Sequence, residues 1–257
     1  MRPFKPLHWL TAALCAVLVA SIQPLYAAQA TIKIGRDHRM AAELLTPDDS
    51  AKHPGILLLH TSRGLDAADL QFAKRLVDQG YVVLVPHFME AYGITAKTRR
   101  DTFTTYADPI YADFVAGLAA LRDDPHVDGG RLGAIGFSNG GYFALWLAAT
   151  NQVSAGVAYY GALTGAGTDK SLDRFRGAFT KTSAPVLVMH GEDDQTVPFA
   201  KAEELDGLLT AAQAPHEFHA YEDAGHGFER TPGGGNEAAA VDAWQRTVRF
   251  FGQYLKR

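Results

Sequence analysis

Short apolar runs separated by helix-length segments recur from Gly55 onward, and no other feature of the chain narrows its fold as much. Gly55 to His60, Tyr81 to Pro86, Arg131 to Phe137, Ser154 to Tyr160, Pro185 to His190 and His216 to Tyr221 read as strands. The spacers read as helices over about Ala67 to Gln79, Phe103 to Arg122, Tyr142 to Ala149 and Ala238 to Lys256, with a helix start at Val197-Pro198. Strands joined by helical crossovers form a parallel sheet, and helices on both faces make such strands apolar throughout. Residues Thr31 to Thr46 supply one or two leading antiparallel strands. The expected class is α/β, a mostly parallel central sheet flanked by helices on both faces. No repeat, linker or low-complexity stretch interrupts it, so residues 31–257 are expected to form one domain.

Residues 1–30 read differently. Arg2 and Lys5 form a positive start, Leu10 to Ala20 an apolar run, and Ala28-Gln29-Ala30 a small-residue cleavage site. That pattern is a secretory signal peptide, and the apolar run is short for a membrane span. The expectation is an exported protein, periplasmic or secreted, with no stable membrane association after cleavage; an uncleaved anchor is the lesser reading. Cleavage would remove Cys15, the only cysteine, and with it any disulfide or thiol nucleophile. It would also make the formal charge of −4 more negative, which argues against nucleic acid or an anionic membrane as partner.

Within the domain, Gly136-Phe137-Ser138-Asn139-Gly140-Gly141 directly follows a strand-like run and opens a helix-like one. A Gly-x-Ser-x-Gly turn in that context suits a serine nucleophile at a strained strand-to-helix bend. A hydroxyl needs a base within hydrogen-bond reach, and the base needs a carboxylate to orient it. Candidates follow in the chain order nucleophile, acid, histidine. Asp194 lies in His190-Gly191-Glu192-Asp193-Asp194, with Glu192 and Asp193 as rivals, and His226 lies in Ala224-Gly225-His226-Gly227-Phe228.

These three motifs together resemble the dienelactone hydrolase family of the α/β-hydrolase superfamily, from about Gly55 onward. The resemblance implies hydrolysis of carboxylic esters or lactones, with no cofactor. It also marks a departure: founding members carry a cysteine nucleophile where this chain has Ser138, and a glutamate where it has Thr61. Both changes go together, and they imply that simple esters are better substrates than dienelactone. By the same resemblance the backbone N–H groups of Ser62 and Asn139 form the oxyanion hole. Arg230, four residues after His226, is expected to hold a substrate carboxylate, with Arg99 or Arg100 as a second cation.

His60 is expected to pack and position rather than act as a base. Phe88, Tyr92, Tyr106, Tyr111, Tyr159, Tyr160, Phe175 and Phe179 are core residues by default, some of them candidates for pocket walls. His216 and His219 would point to opposite faces of a strand, so no metal site is expected. His87 to Asp101 and Gly161 to Ser183 lie beyond strand ends, the second as a cap over the pocket or an ordinary surface loop. A prolyl oligopeptidase-type peptidase, a non-catalytic binding protein of the same fold, and a transferase or perhydrolase with the same residues are the alternatives. Natural substrate, acyl length and oligomeric state are beyond the sequence.

Overall fold

A computed structural model describes Met1, residues 26–161 apart from 36 and 38, residues 170–230 and residues 235–256. Eight strands form one sheet in the order β1-β2-β4-β3-β5-β6-β7-β8. The antiparallel edge is β1 (Tyr26–Ile34) and β2 (Met40–Pro47), with β2 also antiparallel to β4 (Val82–Pro86). From there β3 (His53–Leu59), β5 (Val127–Phe137), β6 (Ala155–Tyr159), β7 (Val186–Gly191) and β8 (His216–Tyr221) run parallel.

Alternation along the buried strands divides the core into two layers. Leu57, Leu59, Val82 and Leu84 face one side, and Ile56, Leu58, Val83 and Val85 the other. The first layer is closed by α3 (Ala107–Asp123), α4 (Asn139–Ala149) and α6 (Phe199–Ala211). The second is closed by α1 (Ala67–Asp78) and α7 (Glu237–Leu255). Helix α4 is buried on every side and, after Asn139, carries no charged side chain, as a helix pressed against the middle of a sheet must be. Helix α1 starts at a reciprocal capping box, in which Asp66 accepts from the N–H groups of Ala68 and Asp69 while Asp69 accepts from that of Asp66.

The α/β class and the strand sequence are as read from the chain; the boundaries and two segments differ. Strands β3 and β5 begin earlier than expected because His53 and Val127 already pair. Helix α3 begins at Ala107, since Arg99–Thr102 forms a 3-10 turn that carries the chain into Phe103. His87 to Asp101 is therefore not plain loop: it holds the short helix α2 (Phe88–Ala91) and the start of that turn. Of Gly161 to Ser183, residues 162–169 lie outside the described residues. The remainder contains α5 (Lys170–Asp173) and buries Leu172, Phe175 and Phe179, with Phe175 against Tyr142 of α4 at 5.4 Å between ring centroids. None of residues 170–183 borders the cleft described below. The expected leader lies mostly outside the described residues, but Ala28-Gln29-Ala30 falls inside β1, paired with Leu44 to Thr46. Cleavage after Ala30 would leave Thr31 to Ile34 of that strand on the sheet. Among the described residues no helix is long and apolar enough to cross a membrane.

Candidate active site

Strand order places the site. The chain moves from β3 outward to β4, then returns past β3 to β5, so the C-terminal ends of β3 and β5 lie side by side at the reversal. Crevices in open α/β sheets form at that point. The loop Thr61-Ser62-Arg63 after β3 and the Ser138 turn after β5 both open into one cleft of about 430 Å³.

Ser138 sits between β5 and α4 at φ 52° and ψ −113°, a left-handed conformation that a non-glycine residue adopts only under constraint. Its N–H donates to the Tyr159 carbonyl at 3.1 Å. The flanking glycines are steric necessities: a Cβ on Gly136 would stand 2.1 Å from the Gly140 oxygen, and one on Gly140 would stand 2.0 Å from the Leu59 oxygen. The bend holds the hydroxyl out of the strand, with Oγ 3.0 Å from Nε2 of His226.

His226 comes from the loop after β8, and its Nδ1 lies 2.7 Å from Oδ2 of Asp194, in the loop after β7. Oδ1 of Asp194 accepts from the N–H groups of Thr196 at 2.7 Å and Val197 at 2.8 Å. Burial raises the Asp194 carboxyl, but hydrogen bonds from His190 and His226 and the Val197 amide outweigh it and hold the group well below the usual carboxylate range. An ionised carboxylate only accepts, so Nδ1 of His226 carries the proton and Nε2 is left to accept from the Ser138 hydroxyl. Glu192 and Asp193, the rival acids, are exposed and point no carboxylate at His226.

His190 was not singled out in the sequence, yet it supports the acid. Its Nε2 lies 2.9 Å from the Val197 carbonyl and 3.3 Å from Oδ2 of Asp194, so that nitrogen donates toward both. Its position at the end of β7 in the His-Gly-x-x-Asp motif is the signal that could have found it. Tyr160, directly after β6, lays its ring against the His226 imidazole with centroids 4.5 Å apart. Tyr160 also has a positive φ of 35°, which nothing in the sequence announces.

Ser62 and Asn139 both border the cleft. Asn139 is the first residue of α4, so its N–H has no carbonyl within the helix to bond. Its side chain donates to Oγ1 of Thr102 at 3.3 Å, which fastens the 3-10 turn to the elbow and brings Arg99 and Arg100 to the mouth of the cleft. Those two arginines are exposed, as is Arg63, which borders the same cleft. Arg230 borders the cleft as well, but both terminal nitrogens of its guanidinium are taken: Nη1 donates to Asp66 at 2.8 Å and Nη2 to Asp69 at 2.9 Å. The fork expected to meet a substrate carboxylate thus already carries two carboxylates of the protein.

His60 is fully buried, stacked on Phe88 at 4.2 Å, with Nδ1 on the Thr61 carbonyl. Burial lowers its pKa to about 4, against the opposing pull of that carbonyl, so it is a neutral packing residue. Of the aromatics named from the sequence only Tyr160 borders the cleft, where Phe103 joins it. His216 pairs with Asp206 and His219 with Asp242, and no group of three metal-ligating side chains occurs among the described residues.

A family model described as the dienelactone hydrolase family matches residues 40–255. The chain belongs to the dienelactone hydrolase family. A carboxymethylenebutenolidase of Rhodococcus opacus is 31% identical over 218 residues, covering 80% of this chain and 84% of the relative. One of Pseudomonas putida is 30% identical over 201 residues, covering 74% and 81%. Among solved structures, a dienelactone hydrolase-like promiscuous phosphotriesterase from metagenomic libraries superposes with TM-score 0.74 at 23% identity, over 90% of this chain and 99% of that one. An α/β hydrolase from a deep-sea metagenome library gives 0.72 at 19% identity, over 91% and 100%. At those identities the superpositions speak for the fold, which is the α/β-hydrolase fold. As a member of the dienelactone hydrolase family the protein is a hydrolase of small-molecule substrates.

Proposed function

We propose that the protein hydrolyses carboxylic esters or lactones through an acyl-enzyme on Ser138. The observation that carries this reading is the continuous hydrogen-bonded line from Ser138 through His226 to Asp194. Nε2 of His226 takes the hydroxyl proton as Oγ attacks the acyl carbon, and later returns it to the leaving alkoxide. Asp194 fixes the tautomer and stabilises the imidazolium. The N–H groups of Ser62 and Asn139 receive the oxyanion. Water then attacks the acyl-enzyme by the same proton path. Thr61, buried beside the cleft and unable to ionise at neutral pH, takes no proton in this scheme.

Arg99, Arg100 and Arg63, all exposed and bordering the cleft, make the entrance cationic and favour substrates that carry a free acid. A fluorophosphonate probe should label the folded protein at Ser138 alone, and a panel of aryl esters, a lactone, an acid-bearing ester and a peptide amide should place turnover on the esters. In the double variant Arg99→Ala/Arg100→Ala, KM for the acid-bearing ester should rise about tenfold at low salt and less at high salt, with the neutral ester unchanged. Labelling that persists in Ser138→Ala, or amide cleavage outpacing the esters, would overturn the reading.

We propose further that the chain is exported and cut after Ala30. The charged start, the apolar run and the Ala28-Gln29-Ala30 site support this. The intact mass of protein recovered outside the cytoplasm should begin at Thr31; a mass retaining Met1 would refute cleavage.

A further inference from the structure

Behind His226 lies a group of charges that the acyl-transfer scheme leaves unused, buried except for Asp66, whose side chain is 41% exposed. Arg230 is its centre, with its side chain 17% exposed and Asp69 1%. The two aspartates that hold it are the capping box of α1, and each divides its oxygens between two tasks. Asp66 gives Oδ1 to the helix amides and Oδ2 to Arg230, and Asp69 gives Oδ2 to the Asp66 N–H and Oδ1 to Arg230. On its inner side Nε of Arg230 lies 3.4 Å from Oε1 of Glu229, which also accepts the Tyr160 hydroxyl. The Tyr160 ring in turn rests on the imidazole. The turn between His226 and Arg230 is tight, with Gly227 at φ 83° and the Arg230 N–H on the Gly227 carbonyl at 3.0 Å.

We infer that Arg230 is a positioning residue: its guanidinium ties the loop carrying His226 to the N-terminus of α1 and, through Glu229 and Tyr160, fixes the imidazole against Ser138. The role rests on the hydrolytic reading of Ser138 and His226. It accounts for why a planar fork stands here, since a guanidinium donates to two carboxylates at once while its Nε, which makes no hydrogen bond, stays within ion-pair distance of Glu229. It also accounts for the charge balance. One cation faces three carboxylates, and burial pushes Asp69 up to about 7 and raises Glu229, whereas Asp66, also pushed up by burial, is brought below its usual value by Arg230. The groups facing His226 are Asp194 and Ser138 in line, Tyr160 from the end of β6, Glu229 and Arg230 on its own loop, and the arginines Arg63, Arg99 and Arg100 around the cleft. Asp66 and Asp69 face it through Arg230. Arg230 is thus the cation that offsets the carboxylates behind the imidazole.

The test compares the wild-type chain with Arg230→Met, Arg230→Lys and Tyr160→Phe on a neutral aryl ester and an acid-bearing one, with the His226 ring titrated by NMR. Arg230→Met should lose about 10- to 100-fold in kcat on both esters alike, with KM within about twofold. Its His226 titration should move to higher pH, because a cation near the ring has gone; Asp69 and Glu229, already raised by burial, protonate more readily without it and limit the shift. Arg230→Lys should restore the titration but not kcat, since an ammonium keeps the charge and loses the fork. If Arg230→Met fails to fold, Tyr160→Phe removes only the hydroxyl and should still cost about fivefold in kcat at unchanged KM. Wild-type kcat on the neutral ester with KM raised only for the acid-bearing one would overturn the inference and give Arg230 to the substrate; so would full kcat in Tyr160→Phe. A wild-type protein inert to every ester and unlabelled at Ser138 would instead sink the hydrolytic reading, and the His226 titration would then decide the tie by itself, an unmoved value refuting it.

Discussion

Ser138→Ala and His226→Ala should each lower kcat/KM for an aryl ester by roughly 10⁵- to 10⁶-fold, and the double variant should cost little more than either single one. The two side chains are one device: Oγ and Nε2 stand 3.0 Å apart, and neither does useful chemistry without the other. A hydroxyl without its base stays protonated at neutral pH, and a base without the hydroxyl has only water to activate. What survives is binding and oxyanion stabilisation by the amides. The double variant needs only steady-state rates on one chromogenic ester. Additive losses, the second substitution multiplying the first, would mean that Ser138 and His226 serve different steps.

Asp194→Asn should cost about 10⁴-fold in kcat, whereas Asp193→Asn and Glu192→Gln should stay within about twofold of wild type. Asp194 is buried and receives His226 on one oxygen and two backbone amides on the other; its neighbours are exposed. An amide there offers one acceptor where two are used, and its NH2 group turned toward Nδ1 selects the wrong tautomer. Equal losses at positions 193 and 194 would show the acid to be misassigned. The depressed acidity of Asp194 also fixes the sign of a stability effect. Its folded value lies below the ordinary unfolded value of about 3.9, so the contribution is complete above about pH 4 and is lost as pH falls through the folded value. The part of the stability gap between wild type and Asp194→Asn that comes from the depressed carboxyl should therefore shrink in acid stronger than about pH 4.

How much of this could be read in the chain depends on how local each feature is. Ser138 was legible because its bend needs glycines at fixed offsets, and the structure shows the atoms that exclude a side chain at Gly136 and Gly140. Asp194 and His226 were legible because each sits in a short loop at the end of a strand with its own glycine signature. Arg230 was noticed for its distance from His226, but its partners Asp66 and Asp69 lie in α1, brought near only by the packing of α1 and the β8 loop on one face of the sheet. No spacing rule reaches that far. Tyr160 is legible as a candidate pocket wall but not as the ring beside His226, since its direction follows from a backbone angle that tyrosine does not advertise. The start of α3 was misjudged because Phe103 looks like a helix residue; the 3-10 turn before it is held by Asn139 through Thr102, again a tertiary tie.

Strand β8 lies at the rim of the sheet and pairs with β7 alone, and the loop that follows it delivers His226. Ser138 is in place once β5, α4 and β6 have come together, far earlier in the order of synthesis. Ser138 therefore lacks its base until the last strand docks, and long-range parallel pairing is slow to form. On the hydrolytic reading proposed above, a molecule assembled only through β7 has no base for its serine and is silent toward esters.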